Sequence, residues 1–442
     1  MRNFPSCTLL TIALMAVFLT ASISKAESFR TTADSSCPSS PATPGYDDTE
    51  GFGINSVAFS PNGKFILAGG AGQAAFLWDA YTGALLHCFV GHRRTVENVE
   101  FAPDGKTVLT SAWDTSARLW DTNSGALLHI FPNDTTLDDS PAAAYSPDGA
   151  IVFTMAADGT AILWDVQTGL KLHSVAEPEN NSDGNVFAFS PDSKLLATAN
   201  KSHDIARIWD VHLGTLLRIL QGDFPDTGIW NLAFSPDSKT ILTGDQEVIK
   251  WDVQTGTRLQ IWQVFKTVPR VSNGSAIGVL SIKYLPDGKT VMTDGDEGPI
   301  LWDAASGRRL RILKDIKCPS GVVCGTGFIS PDGRTLAHWD YGKATLWDAE
   351  SGTLLKTLTL LPAQPSVGNY QCYACQILEA STIQPSQTPD ISRFYRVNAI
   401  AFSPDGKTLL TGSQDDITRV WDVQSGKLLL SLKSPIPGPI AE

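Results

Sequence analysis

The sequence predicts an all-β protein, a single propeller of eight four-stranded antiparallel blades. Three observations predict it. First, tryptophan followed by aspartate occurs at eight places: Trp78-Asp79, Trp120-Asp121, Trp164-Asp165, Trp209-Asp210, Trp251-Asp252, Trp302-Asp303, Trp347-Asp348 and Trp421-Asp422. Second, successive tryptophans lie 42, 44, 45, 42, 51, 45 and 74 residues apart. A period of about 40–45 residues closed by this dipeptide is the length of one blade. Third, the same turn chemistry punctuates every unit. The alternative is seven blades with one degenerate unit displaced.

Residues 96 to 131 show how one unit reads. Val96, Val99 and Phe101 supply the apolar positions of a first strand. Ala102-Pro103-Asp104-Gly105 is a turn, because Pro presets φ, Asp bonds its own backbone and Gly accepts positive φ. Thr107 to Ser111 forms a second strand, and Asp114 opens the next turn. Ala117 to Trp120 is the third strand. Asp121-Thr122-Asn123-Ser124-Gly125 turns into a fourth strand over Ala126 to Phe131. The first turn recurs as Ser60-Pro61-Asn62-Gly63, Ser146-Pro147-Asp148-Gly149 and Ser403-Pro404-Asp405-Gly406. The last turn ends in Gly at 83, 125, 169, 214, 256, 307, 352 and 426. Such short loops join only antiparallel neighbours, so each unit is a meander. One blade cannot bury both faces; radial packing does so, and closing the circle protects sheet edges. Eight complete units fill residues 54–432, ending on a fourth strand at Lys427 to Leu432. No strand is left over for exchange, so blade 1 is expected to meet blade 8 by side-chain packing, helped by residues 28 to 53.

The 442 residues are 42% hydrophobic and 18% charged, an ordinary globular balance. Residues 1–26 read as a secretory signal. Arg2 is the positive region, Thr8 to Ala21 is apolar and uncharged, and Ser24-Lys25-Ala26 presents small residues for cleavage before Glu27. An uncleaved anchor is the rival reading, although the apolar stretch is short for a span of about 20 residues. Residues 27–53 form an N-terminal tail and 433–442 a C-terminal one. Removing Arg2 and Lys25 leaves 32 basic against 46 acidic residues, a net charge of −14. No basic cluster interrupts this surface, so nucleic acid and anionic lipid are not expected partners. No other segment is long and apolar enough to cross a bilayer as a helix. The expected location is secreted or periplasmic.

Trp-Asp units with these turns resemble the WD-repeat β-propeller family over about residues 54 to 432. In that family a His, a Ser or Thr, an Asp and the Trp form a hydrogen-bonded tetrad. The Ser or Thr lies ten residues before the Trp and the Asp six. Blade 2 fits fully, with His92, Thr110, Asp114 and Trp120. Blade 3 keeps Thr154, Asp158 and Trp164, and blade 8 keeps Thr411, Asp415 and Trp421, both without His. Blades 5 and 6 keep Asp245 and Asp296. Blades 4 and 7 place Asp204 and Asp340 one residue out of register. Blade 1 has Ala68 and Gly72 at these positions. The missing members imply that ring packing, rather than the polar network, carries most blades.

No catalytic constellation stands out, and no cofactor or metal is expected. Thr293-Asp294-Gly295-Asp296-Glu297-Gly298 looks like a calcium loop, yet Asp296 falls where the blade turn already requires an Asp. The seven histidines are scattered, and only His92 has a role in sequence. Six cysteines remain after signal cleavage: Cys37, Cys88, Cys318, Cys324, Cys372 and Cys375. An even count in an exported chain favours disulfides. Cys318 and Cys324 lie between blades 6 and 7, and Cys372 and Cys375 between blades 7 and 8. They form local bridges, cross-bridges or a four-cysteine zinc site. Cys37 is placed to bridge Cys88, with a buried free thiol as the alternative. The connection from about Leu360 to Phe394 explains the 74-residue gap and reads as a pinned flap. Asn133, Asn180, Asn200 and Asn273 each begin a glycosylation triplet.

The family resemblance implies a partner-docking face made of the inter-blade connections and the second-to-third turns. Two columns point there. The residue before the turn Asp is Trp113 in blade 2 and Gln414 in blade 8. The second residue of the first strand gives Asn55, Glu97, Asn185, Trp230, Leu280 and Asn398. Exposed Trp is enriched at binding hot spots, so Trp113 and then Trp230 lead, Trp230 having edge packing against a loop as its structural alternative. The expected function is a non-enzymatic, extracytoplasmic scaffold that binds a protein or peptide on this face. The alternative is an extracytoplasmic hydrolase or lyase in the central channel, which requires acidic and His side chains converging near the axis.

Overall fold

The computed structural model falls into two compact units, Met1–Ser36 and Cys37–Glu442. It describes residues 37, 53–70, 73–132, 142–156, 159–176, 185–200, 203–222, 228–264, 279–295, 298–313, 328–340, 342–360 and 396–435, all in the second unit. These build eight antiparallel sheets of four strands. Blades 1 to 8 span 54–90, 96–132, 142–176, 185–221, 231–262, 279–312, 328–359 and 397–433. Every blade uses four consecutive strands, so none is exchanged between the first blade and the last. The eight-bladed expectation, without strand exchange, holds.

Turn chemistry sets the hairpins. In the first-to-second turn a serine does more than the sequence suggests. Ser60, Ser146, Ser190, Ser235, Ser330 and Ser403 are buried. The Ser146 hydroxyl donates to Asp148 Oδ1 at 2.6 Å and accepts the Ile151 amide at 3.0 Å. One hydroxyl therefore satisfies the turn carboxylate and the first amide of the second strand. The Trp-Asp carboxylates act on the other turn. Asp121 Oδ1 accepts the Ser124 amide and hydroxyl, each at 2.7 Å, and these bonds hold its carboxyl below the ordinary range. Gly169 closes the equivalent turn of blade 3 at φ 71°. A Cβ there would lie 2.4 Å from His129 Nδ1, so this glycine supplies both a left-handed backbone and room for a neighbouring blade.

The core is not one mass but eight wedges, one between each pair of consecutive blades. Each contains one of the eight Trp-Asp tryptophans, all at most 8% exposed. Trp120 of blade 2 meets Phe89 of blade 1 at 5.4 Å between centroids, and Trp164 of blade 3 meets Phe131 of blade 2 at the same distance. Between blades 5 and 6, Trp302 stacks on Trp262 at 5.8 Å. At 150–250 Å² buried per ring, each contributes roughly 4–6 kcal/mol gross. Beside every one of these tryptophans the pairing of third and fourth strands slips, as between Leu119 and Trp120. A bulge bends the strand and re-aims a side chain.

Polar side chains stitch the wedges at two radii. At the inner edge Asn98 Nδ2 of blade 2 donates to the Ala143 carbonyl of blade 3 at 3.2 Å. The Ile282 amide of blade 6 donates to Asn231 Oδ1 of blade 5 at 3.2 Å. At the rim the third position of the fourth strand reaches the last turn of the next blade. His87, His129 and His173 donate from Nε2 to the carbonyls of Asn123, Gln167 and His212, at 2.7, 3.3 and 2.7 Å. Arg218, Gln260 and Arg311 reach the carbonyls of Gln254, Ala305 and Ser351. Three of the scattered histidines are thus inter-blade latches.

Trp164→Ala opens a cavity in the wedge between blades 2 and 3 and should cost about 3–5 kcal/mol. Trp164→Phe keeps an aromatic ring but loses the indole N–H, and should cost less. Urea midpoints of both variants test this; equal losses would show that packing of the ring is not the main term.

Candidate functional site

Blade 2 assembles the full tetrad. Trp120 Nε1 donates to Thr110 Oγ1 at 2.9 Å, and Thr110 Oγ1 lies 2.7 Å from His92 Nε2. His92 Nδ1 is 3.1 Å from both Asp114 oxygens. The indole only donates, so the threonine hydroxyl proton goes to Nε2 and the imidazole proton sits on Nδ1, facing Asp114. Burial pushes His92 below the ordinary imidazole range, against the pull of Asp114. Burial also opposes ionisation of Asp114. Hydrogen bonds from His92, the Arg93 amide and Ser116 outweigh it and hold this carboxyl well below its usual range. The chain of bonds runs inward and ends in a wedge, which makes it a structural element.

Elsewhere the tetrad is reduced, but its innermost bond persists. The indole donates to Thr154 in blade 3, Thr198 in blade 4, Thr243 in blade 5, Thr293 in blade 6 and Thr411 in blade 8, all at 2.8–3.0 Å. In blade 7 Trp347 bonds Thr345 of its own strand at 3.0 Å. Fixed spacing missed Thr198, Thr243 and Thr293, which lie eleven, eight and nine residues before their tryptophans. The polar partner therefore survives more widely than the sequence implied, and only blade 1, with Ala68, has no threonine in this role. In blade 8 Arg419 replaces the histidine, reaching Asp415 Oδ2 at 2.5 Å and Ser413 at 2.8 Å.

The docking candidates divide into two groups. Trp113 is 41% exposed. Its Nε1 donates to Glu97 Oε2 at 3.1 Å, and the same oxygen accepts Asn55 Nδ2 from blade 1 at 3.3 Å. Glu97 is exposed and holds the indole in place. Asn55 also reaches the Val96 carbonyl at 3.4 Å. Asn398 of blade 8 donates to the Ile54 carbonyl of blade 1 at 3.2 Å, so that amide is spent on the seam. Gln414 is exposed and packs beside Gly53, where a Cβ would come within 2.6 Å of the Gln414 Cα. Asn398, Gln414, Asn55, Glu97 and Trp113 thus follow one another across blades 8, 1 and 2. Trp230 stands apart on blade 5. It is 37% exposed and precedes the first strand, Asn231–Phe234, rather than lying second within it. Its amide bonds the Gly244 carbonyl at 2.8 Å.

Several other candidates resolve. Cys37 and Cys88 form a disulfide. Cys318, Cys324, Cys372 and Cys375 lie outside the described residues, as do Asp158, Asp296, Asn133, Asn180, Asn273 and the connection from Leu360 to Phe394 apart from Leu360 itself. Asn200 is buried, which removes it as a glycosylation acceptor on the folded chain. Asp294 Oδ1 accepts the Gly295 amide at 2.9 Å. Among the described residues no three His, Cys, Asp or Glu side chains are placed to hold a metal.

The eight first strands carry three charged residues, Glu97, Glu100 and Lys283, and no histidine. Glu100 accepts the Tyr145 amide of blade 3 at 3.2 Å, and burial pushes its carboxyl up to about 7 against that bond. Lys283 Nζ sits 3.8 Å above the Phe328 ring of blade 7. Burial pushes its ammonium down to about 8 against the pull of Asp294. The two lie in separate seams, four blades apart.

The family model "WD domain, G-beta repeat" matches residues 45–79, 83–121, 214–252 and 391–422. The chain is 25% identical over 228 residues to a guanine nucleotide-binding protein subunit beta of Oryza sativa subsp. indica, covering 48% of this chain and 50% of that protein. It is 26% identical over 149 residues to small ribosomal subunit protein RACK1 of Medicago sativa, covering 33% and 39%. It is 53% identical over 45 residues to WD repeat-containing protein 38 of Mus musculus, covering 9% and 15%. The chain thus spans half or less of the length of these curated relatives. The crystal structure of the computationally designed Ika8 protein matches at a TM-score of 0.61 and 21% identity, over 85% of this chain and 98% of that one. That is a likeness of fold.

The raised Glu100 fixes the sign of a pH effect. Its contribution to stability is complete below the ordinary carboxyl range and is lost as pH rises through about 7. His92 acts oppositely, losing stability as pH falls below the ordinary imidazole value. Denaturant midpoints should therefore fall more steeply between about pH 5 and 7 in the wild type than in Glu100→Gln, which keeps an acceptor for Tyr145, and the two profiles should run parallel above about 7. Profiles parallel over the whole range would show that Glu100 is not the titrating group.

Proposed function

From a chain that carries WD repeats closed into an eight-bladed ring, we propose an exported, non-enzymatic platform that holds a protein or peptide partner. The docking face is the sector of blades 8, 1 and 2 around Trp113. The observation that carries this reading is the Trp113–Glu97–Asn55 group. A large ring is held half-exposed by a hydrogen bond to a carboxylate that a second blade also grips. A pre-positioned aromatic gives up little side-chain freedom on binding, which is the quality of a hot spot.

Export is supported by the signal-like residues 1–26 and by the Cys37–Cys88 disulfide, because such bonds persist in oxidising compartments. The names of two relatives describe parts of larger assemblies, a G-protein subunit and a small ribosomal subunit protein, which agrees with a partner-binding role. The channel reading needs acids and histidines that converge. The first strands instead offer Glu100 and Lys283 in separate seams, each engaged by a neighbouring blade.

In pulldowns from native extract, Trp113→Ala should reduce partner recovery by roughly tenfold or more, and Glu97→Lys should do the same by releasing the indole. Trp230→Ala tests whether the second exposed tryptophan, on blade 5, also takes part, and Tyr81→Ala, in the last turn of blade 1, is the control. Unchanged recovery with folded Trp113→Ala protein would remove this face. Independently, the N-terminus of protein recovered from medium or periplasm should be Glu27; an intact Met1 would count against signal cleavage.

A further inference from the structure

Seven of the eight seams have the peptide chain running across them, because each blade leads into the next. The seam between blades 8 and 1 has none, since the described ring starts in blade 1 and ends in blade 8. Among the described residues no exchanged strand covers it either. It is held by its wedge, where Ile54, Val57, Phe76 and Trp78 of blade 1 meet Leu410, Val420 and Leu432 of blade 8. It is also held by Asn398, which donates to the Ile54 carbonyl, and by Asp416, which accepts the Gly53 amide. The rim latch is missing here, as it also is between blades 7 and 8, where Lys356 holds the position. At the closing seam the position is Leu430, which packs towards Gly83 with no polar bond to the turn.

Cys37 and Cys88 both pack against this wedge. Cys88 belongs to the fourth strand of blade 1, Leu85–Val90, and Cys37 precedes its first strand, Ile54–Phe59. Their bond closes a covalent loop with a sequence separation of 51 residues that contains the first three strands of the blade. Gly53 is confined at the same place: φ is 131°, and a Cβ would lie 2.6 Å from the Gln414 Cα.

We propose that the Cys37–Cys88 disulfide is a redox-set clamp on ring closure, which keeps blade 1 seated against blade 8 in place of an exchanged strand. The first strand of blade 1 is the free end of the ring, and terminal elements are where local opening begins. Joining the segment before it to the fourth strand removes most of the freedom that strand would gain by leaving. Reduction by a dithiol supplies two electrons and two protons. The Sγ–Sγ bond breaks, each sulfur becomes a thiol, and the reductant becomes a disulfide. Blade 1 then detaches at the one seam with no covalent crossing.

Amide hydrogen exchange on the full chain tests this. The oxidised wild type is compared with wild type in dithiothreitol and with Cys37→Ser/Cys88→Ser. The clamp predicts exchange faster by on the order of 100-fold in peptides of 54–59 and 397–433. It predicts unchanged protection in blades 4 and 5, residues 185–262, and no further change when reductant is added to the double variant. Equal protection at the seam with and without the bond overturns the proposal, and so does loosening spread evenly over all blades. Should the double variant not fold, reduced wild type carries the test, because protection in blades 4 and 5 reports the intact fold. Partner binding plays no part in this readout.

Discussion

The structure depends on one contact repeated eight times: an indole on the third strand of one blade, wedged against the blade before it. Each ring is too large to be buried within a single four-stranded sheet, so it is buried between two. That makes neighbouring blades mutually necessary, since a blade without its neighbour would expose the ring and the residues it covers. The ring brings a polar obligation, because a buried indole N–H without a partner costs about 1–3 kcal/mol. A threonine hydroxyl on the second strand discharges it in most blades. The bulge beside each tryptophan and the Asp-capped turn that follows both serve to hold this placement.

The fold was almost wholly legible because these demands fall on residues close in sequence. The Trp-Asp spacing, the Ser-Pro-Asp-Gly turns and the closing glycines each lie within one hairpin. What escaped were features for which distance in space and distance in sequence part company. The threonine partners of Trp209, Trp251 and Trp302 were hidden because the second-to-third turn varies in length, shifting the residue while keeping the bond at 2.8–3.0 Å. The rim latches were hidden because His87, His129 and His173 bond carbonyls 36 to 39 residues away, and a carbonyl leaves no mark on a sequence.

The candidate site was legible in part, for the same reason. Trp113 sits next to a turn Asp that the repeat itself locates, so its position on the surface could be read directly. Glu97 was nominated by its column, but its bond to the Trp113 indole was not foreseeable. Asn398 carries a second use that its column does not announce. Its amide also stitches the inner edges of two blades, a use that an unpaired strand edge imposes wherever blades meet at the centre. Trp230 was displaced because blade 5 begins its first strand at Asn231, two residues later than the repeat pattern implies.

A ring built from one repeated wedge has a symmetry that its chain cannot share, because a chain has ends. At seven seams a covalent connection limits how far the blades can part, and at six of them a polar latch sets the angle. At the eighth the same wedge must resist separation without that limit. The residues there differ accordingly. The rim position is apolar Leu430, and both half-cystines pack on the shared core. Gln414, which lies in the proposed docking sector, stands at this seam beside Gly53, while Asn55 reaches across the next one to Val96 and Glu97 of blade 2. The surface read as functional therefore starts at the joint on which the ring closes and reaches its exposed indole one seam further on, between blades 1 and 2.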